Sequence, residues 1–139
     1  MELNYVAIGV AAVLQFIFGA IWYMPLFGNL WGKIHGFDHK SPEAQEAMKK
    51  GMAPLLVTQF VVTVITTFVF ALLAAGLPSS WNLFGLAGFF WFGFIVPTQI
   101  AAVIFGGTTP GYVVKKILVM VGASLGCMEI IAATLHFMG

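Results

Sequence analysis

The sequence predicts an all-α integral membrane protein, a four-transmembrane-helix bundle with an amphipathic interfacial linker between helices 1 and 2, in one domain covering residues 1–139. Three observations predict it. Apolar residues make up 60% of the chain and charged residues 8%, whereas soluble domains carry about 25% charged residues. With a mean hydropathy of +0.99, the chain has too few polar side chains to cover a water-facing surface. The apolar residues also gather into four runs, 3–24, 54–75, 82–105 and 117–138, each near the roughly 20 residues that a helix needs to cross the hydrocarbon core. Finally, these runs do not alternate in segments of about 10 residues, as a transmembrane barrel would require. In lipid each backbone polar group needs an internal partner, which leaves helices.

The first run ends at Trp22-Tyr23, an interfacial aromatic pair, and Pro25 closes or kinks it. Gly76 and Pro78 end the second, and Ser79 or Ser80 can cap the third. Gly106-Gly107 ends the third, after which Thr109-Pro110 reads as N-cap and first residue of the fourth. The link from Gly76 to Trp81 is short enough to make the second and third helices antiparallel neighbours. Between the first two spans lies the long polar segment, 26–52. Phe27, Leu30, Trp31 and Ile34 repeat at the spacing of a helix lying in the interface. Further on, Ser41 as N-cap, Pro42 and Glu43 in the first turn, a Glu46–Lys50 pair and Gly51 as stop predict a short surface helix.

Charge sets the orientation. Lys33, Lys40, Lys49 and Lys50 lie between the first two spans, and Lys115 and Lys116 open the fourth. With four spans, all six lysines fall on one side, which the positive-inside rule makes cytoplasmic. Both termini are then expected on the non-cytoplasmic side of the membrane. The opening acidic residue, Glu2, and a first apolar run as long as a bilayer is thick do not fit a signal peptide.

Composition also removes several functions. A net charge of +1 and the lack of any Arg argue against a nucleic-acid partner and against bidentate phosphate or carboxylate clamps. The single Cys127 excludes an intrachain disulfide and a multi-cysteine metal site. No serine nucleophile elbow, zinc helix or phosphate loop is present, so no enzyme, metal or cofactor is expected.

The stretch "GAIWYMPLFGNLW", with Gly19, Trp22, Tyr23, Pro25, Phe27, Gly28 and Trp31, together with "GFIVPT", with Gly93, Phe94, Pro97 and Thr98, resembles the bacterial membrane family catalogued as domain of unknown function 1761. The resemblance covers nearly the whole chain. It implies a small four-helix membrane protein and brings no assigned activity.

Among polar residues inside the spans, Glu129 stands out. Gly122, Gly126, Glu129, Ala133 and His136 share one helix face, and Gly122-x-x-x-Gly126 is a small-residue motif for close helix approach. Glu129 lies near the middle of its span, about 20 Å along the helix from Lys115 and Lys116. A carboxylate there loses its hydration without gaining a counter-ion, so the neutral acid is expected unless water, an ion, a ligand or a partner chain reaches it. It reads either as interhelical glue or as a proton, ion or ligand site. Depth matches it to Gln15 on helix 1, a candidate hydrogen-bond partner, and matches Gln59 to Gln99 on helices 2 and 3. Thr63, Thr66 and Thr67 continue the face of Gln59, and Thr98 adjoins Gln99. Pro97 removes the bond to the Gly93 carbonyl and should kink helix 3 into a hinge. "HGFDH", with His35, Asp38 and His39, reads as a solvated loop before it reads as a metal site, and the aromatic run at Phe89–Phe94 as lipid- and helix-facing bulk before a pigment or quinone site.

Two functions stay open. The chain acts by helix–helix assembly, as a homo-oligomer or with another membrane protein, or it forms a small proton- or cation-coupled channel or transporter that uses Glu129.

Overall fold

The computed structural model describes residues 2–139. Four helices are long and apolar enough to cross a membrane: Tyr5–Leu26, Met52–Gly76, Leu83–Phe105 and Pro110–Met138. The first comprises α1 (Tyr5–Ile21) and a π-helical turn at Trp22–Leu26. Asn4 opens α1, its side chain accepting from the Ala7 N–H at 3.0 Å. Pro25 therefore does not end the span. The wider turn absorbs a residue that cannot donate, and the helix runs on to Leu26.

The linker folds as α2 (Gly28–Ile34), a 3₁₀ turn at Phe37–His39 and α3 (Pro42–Lys50). Ser41 caps α3 through Oγ, which accepts from the Ala44 N–H at 3.2 Å. The expected Glu46–Lys50 pair is not closed, since Asp38–His39 is the sole ion pair within 4 Å among the described residues. Both side chains are exposed, where solvation competes well with a single surface pair.

The second span is α4 (Met52–Gly76). The third is divided into α5 (Leu83–Phe90), a π-helical turn at Trp91–Ile95, and α6 (Val96–Phe105). Asn82, and neither serine, caps α5, its Oδ1 accepting from the Phe84 and Gly85 N–H groups. After a 3₁₀ turn at Pro110–Tyr112 comes α7 (Val113–Met138). Thr109 makes no side-chain cap there, and its carbonyl instead accepts from the Tyr112 N–H at 2.8 Å.

The central helix is α7, packed against α1 on one side and against α5 and α6 on the other. Against expectation, α4 lies mainly along α1 and meets the third span through its second half, where Phe70 joins Leu86, Ala87, Met128, Ile131 and Ala132 in the core and meets the Phe90 ring at 6.4 Å. A short loop ties helix ends together, but side chains decide what the helices lie against. Here α4 is drawn to α1 by Thr67, fully buried, and by Phe60, whose ring meets that of Phe16 edge-on at 5.7 Å. The first and last helices start and finish together, with Asn4 Nδ2 donating to the Met138 carbonyl at 2.8 Å. All six lysines belong to the opposite end or to the linker joined to it.

Candidate functional site

The polar residues inside the spans form three separate arrangements around α7 and α1. The tightest is the α1–α7 seam. A Cβ at Gly126 would overlap the Phe18 ring, and one at Gly122 would come within 2.8 Å of the Trp22 ring. The two glycines are therefore notches filled by aromatic side chains one turn apart on the first span, their rings tilted at 38° with centroids 5.6 Å apart. The Trp22 indole N–H then donates to the Val119 carbonyl at 2.9 Å. The Gly-x-x-x-Gly motif is thus occupied within one chain.

On the other side of α7, Trp91 repeats the device. Its indole N–H donates to the Val121 carbonyl at 2.9 Å and lies 3.1 Å from Ser124 Oγ. Ser124 in turn donates to Gln99 Oε1 at 2.9 Å. Both tryptophans are the first residue of a π-helical turn. Such a turn rotates the side chains beyond it relative to an unbroken helix, and a proline follows in each case, Pro25 or Pro97. At the Gly93–Pro97 stretch read as a hinge, Gly93 lies inside the π-helical turn and Pro97 in the first turn of α6.

The third arrangement joins α1 to α4. Gln15 is buried and donates through Nε2 to Thr67 Oγ1 at 2.7 Å and to the Ala11 carbonyl at 3.1 Å, while Thr67 donates to the Thr63 carbonyl at 2.7 Å. This corrects the expected Gln15–Glu129 bond. Phe18 against Gly126 and Trp22 against Gly122 set an antiparallel register that does put Gln15 and Glu129 at one level. Depth was right, but the two side chains leave their helices in different directions. Glu129 Oε1 faces α5, 3.7 Å from where a Gly88 Cβ would stand. It is partly buried and has no hydrogen-bond partner among the described residues.

The expected Gln59–Gln99 pair is corrected as well. Gln99 turns to Ser124, and Gln59 is exposed on α4, with Nε2 3.5 Å from Thr63 Oγ1. Thr63 and Thr98 bond within their own helices, to the carbonyls of Gln59 at 2.8 Å and Phe94 at 2.6 Å. Because α4 lies on α1, the two glutamines have no shared interface. No cluster of three or more His, Cys, Asp or Glu side chains suited to a metal occurs among the described residues.

Sequence reasoning missed Trp91 and Ser124 as polar contacts. The available signal was Trp91 itself, since an indole N–H in mid-membrane needs an acceptor.

These features define a four-span helical membrane protein whose last helix is clasped from both sides by tryptophan-to-carbonyl bonds. The chain belongs to the DUF1761 family, described as a protein of unknown function, whose model matches residues 6–136. No curated protein and no solved structure matches the chain.

Proposed function

We propose that the protein acts without catalysis, by assembling into a homo-oligomer through the outward flank of α4. The observation that carries this reading is Gln59, an exposed amide inside a membrane span. It lies about 8 Å from the middle of a 25-residue helix, well within hydrocarbon. Its Nε2 reaches Thr63 Oγ1 only at 3.5 Å, and unpaired polar groups in lipid cost several kcal/mol. An amide both donates and accepts, so Gln59 can pair with its own copy across a two-fold axis, where interfaces are self-complementary. The surrounding residues suit a helix partner. Leu55, Gln59, Val62, Thr66, Val69 and Leu73 are all exposed and fall at alternating four- and three-residue steps, the spacing of a coiled-coil seam in which a polar position fixes register. The glycines of α7 lend no support to this interface, being filled by Phe18 and Trp22. The lysine-bearing end is assigned to the cytoplasm by the positive-inside rule.

A second reading rests on Glu129. A carboxyl on the α5–α7 seam, facing Gly88 and partly open to its surroundings, supports a proton- or cation-coupled pathway. Both readings meet one experiment in proteoliposomes, scoring oligomeric state and pH-driven flux for wild type, Gln59→Leu and Glu129→Gln. Assembly requires a wild-type oligomer that Gln59→Leu weakens while Glu129→Gln leaves it intact. A wild-type monomer at every protein-to-lipid ratio would sink it. Flux that Glu129→Gln abolishes, with unchanged oligomer, would establish the second reading instead.

A further inference from the structure

At the lysine-bearing end the chain forms a half-open cavity of about 770 Å³, between the end of α2 with its following loop and the 106–112 loop with the first turn of α7. That volume falls in the range of small-molecule sites. Lys33, from α2, and Lys116, from the first turn of α7, both line it. Neither has a carboxylate within 4 Å among the described residues; Asp38, also in the lining, lies 3.9 Å from His39. Lys116 Nζ sits 5.8 Å from the centroid of the Trp31 ring, which holds the ammonium against the protein. Next to it, His35 Nδ1 donates to the Trp31 carbonyl at 2.9 Å, leaving Nε2 as the ring atom open to a ligand. In the facing loop, Thr108 Oγ1 is buried with no hydrogen-bond partner. Buried side-chain oxygens left alone are rare and cost about 1–3 kcal/mol each.

We propose that this cavity binds a phosphate group, with Lys33 and Lys116 supplying the charge and the Thr108 hydroxyl a hydrogen bond. Two ammonium groups on one cavity, neither with a carboxylate within 4 Å among the described residues, attract an anion. A tetrahedral phosphate has enough oxygens to accept from both lysines and the threonine together, which a carboxylate with two oxygens does less well. The cavity stands at the ends of the spans, the level of lipid headgroups, and exposed Ile104 and Phe105 precede the Gly106-Gly107 loop. The phosphate is therefore either that of an anionic lipid headgroup or that of a soluble ligand.

Calorimetric titration of the purified protein in uncharged detergent separates these sources, with inorganic phosphate as one probe and a short-chain phosphatidylglycerol as the other. Saturable binding of phosphate alone assigns a soluble ligand, of the lipid alone a headgroup, and of both a site that reads the shared group. In each case Lys33→Ala with Lys116→Ala weakens binding at least about tenfold, and Thr108→Val, which keeps the shape, about threefold or more. Lys49→Ala with Lys50→Ala removes equal charge from α3, outside this cavity, and leaves affinity within about twofold. The proposal is overturned if neither probe saturates, or if the α3 pair costs as much as the cavity pair, as diffuse attraction to a basic surface would.

Discussion

Two helix flanks in this molecule treat their small and polar residues in opposite ways. Along α1–α7, each glycine notch holds an aromatic ring, the Trp22 indole finds a carbonyl, and Gln15 on the neighbouring α1–α4 contact is buried with two acceptors. Along the outward flank of α4, Gln59 and Thr66 are exposed among Leu55, Val62, Val69 and Leu73. Lipid tails are as apolar as leucine, so neither flank is assembled by the hydrophobic effect; packing and polar bonds decide. The difference teaches that a small-residue motif does not by itself report an intermolecular interface. In this chain the glycines close the fold, and the unfinished flank is the one with a glutamine.

The comparison breaks most readily at Gly126. Gly126→Leu puts a branched side chain where the Phe18 ring stands, and the backbone must part to admit it. A loss of about 2–3 kcal/mol is expected, read as a lower melting temperature in detergent. Adding Phe18→Ala should recover part of that loss by returning the volume. A variant as stable as wild type would mean that the notch is not filled within the chain.

Gln15→Leu is next. It removes the donor to Thr67 Oγ1 and to the Ala11 carbonyl from a buried position, and about 1–2 kcal/mol is expected in the same melt. Trp91→Phe keeps an aromatic ring and deletes only the N–H that reaches Val121 and Ser124. About 0.6–1.5 kcal/mol is the expected cost, because Ser124 keeps its donation to Gln99 Oε1. If Trp91→Phe costs more than Gln15→Leu, the clasp on α7 outweighs the α1–α4 contact.

The four spans, the cap on α3 and the shared end of the termini were legible because length, hydropathy and N-cap chemistry are local. Depth was legible too, since 1.5 Å per residue places Gln15 level with Glu129. Azimuth was not. A helical wheel relates residues on one helix, and nothing in a single chain says how far its neighbour is rotated. Depth alone therefore matches Gln15 to Glu129 and Gln99 to Gln59, where the structure has Thr67 and Ser124. The π-helical turns worsen the problem, because each inserts a rotation, around Pro25 in the first span and ahead of Pro97 in the third, that ideal geometry omits. The cavity at the lysine-bearing end was hidden for another reason. Its walls come from segments some 70 residues apart, and Thr108 becomes notable only once it is buried without a partner.

The smallest expected effect on folding is also the sharpest test of the contrast. Gln59→Leu exchanges an exposed amide for an apolar side chain of similar length, and the bond given up within the chain is a 3.5 Å contact with Thr63. Thr63 keeps its donation to the residue 59 carbonyl, a backbone bond that the substitution does not touch. Fold stability at high dilution should therefore change by less than about 0.5 kcal/mol, within the range of surface substitutions. Association should weaken by about 3- to 30-fold, the equivalent of one polar interhelical contact in lipid. The two readouts must separate, because the flank is held to be unfinished within the chain and completed between chains. If Gln59→Leu lowers the melting temperature of the dilute protein as much as Gln15→Leu does, then Gln59 is bound inside the monomer and the α4 flank is closed like the α1–α7 seam.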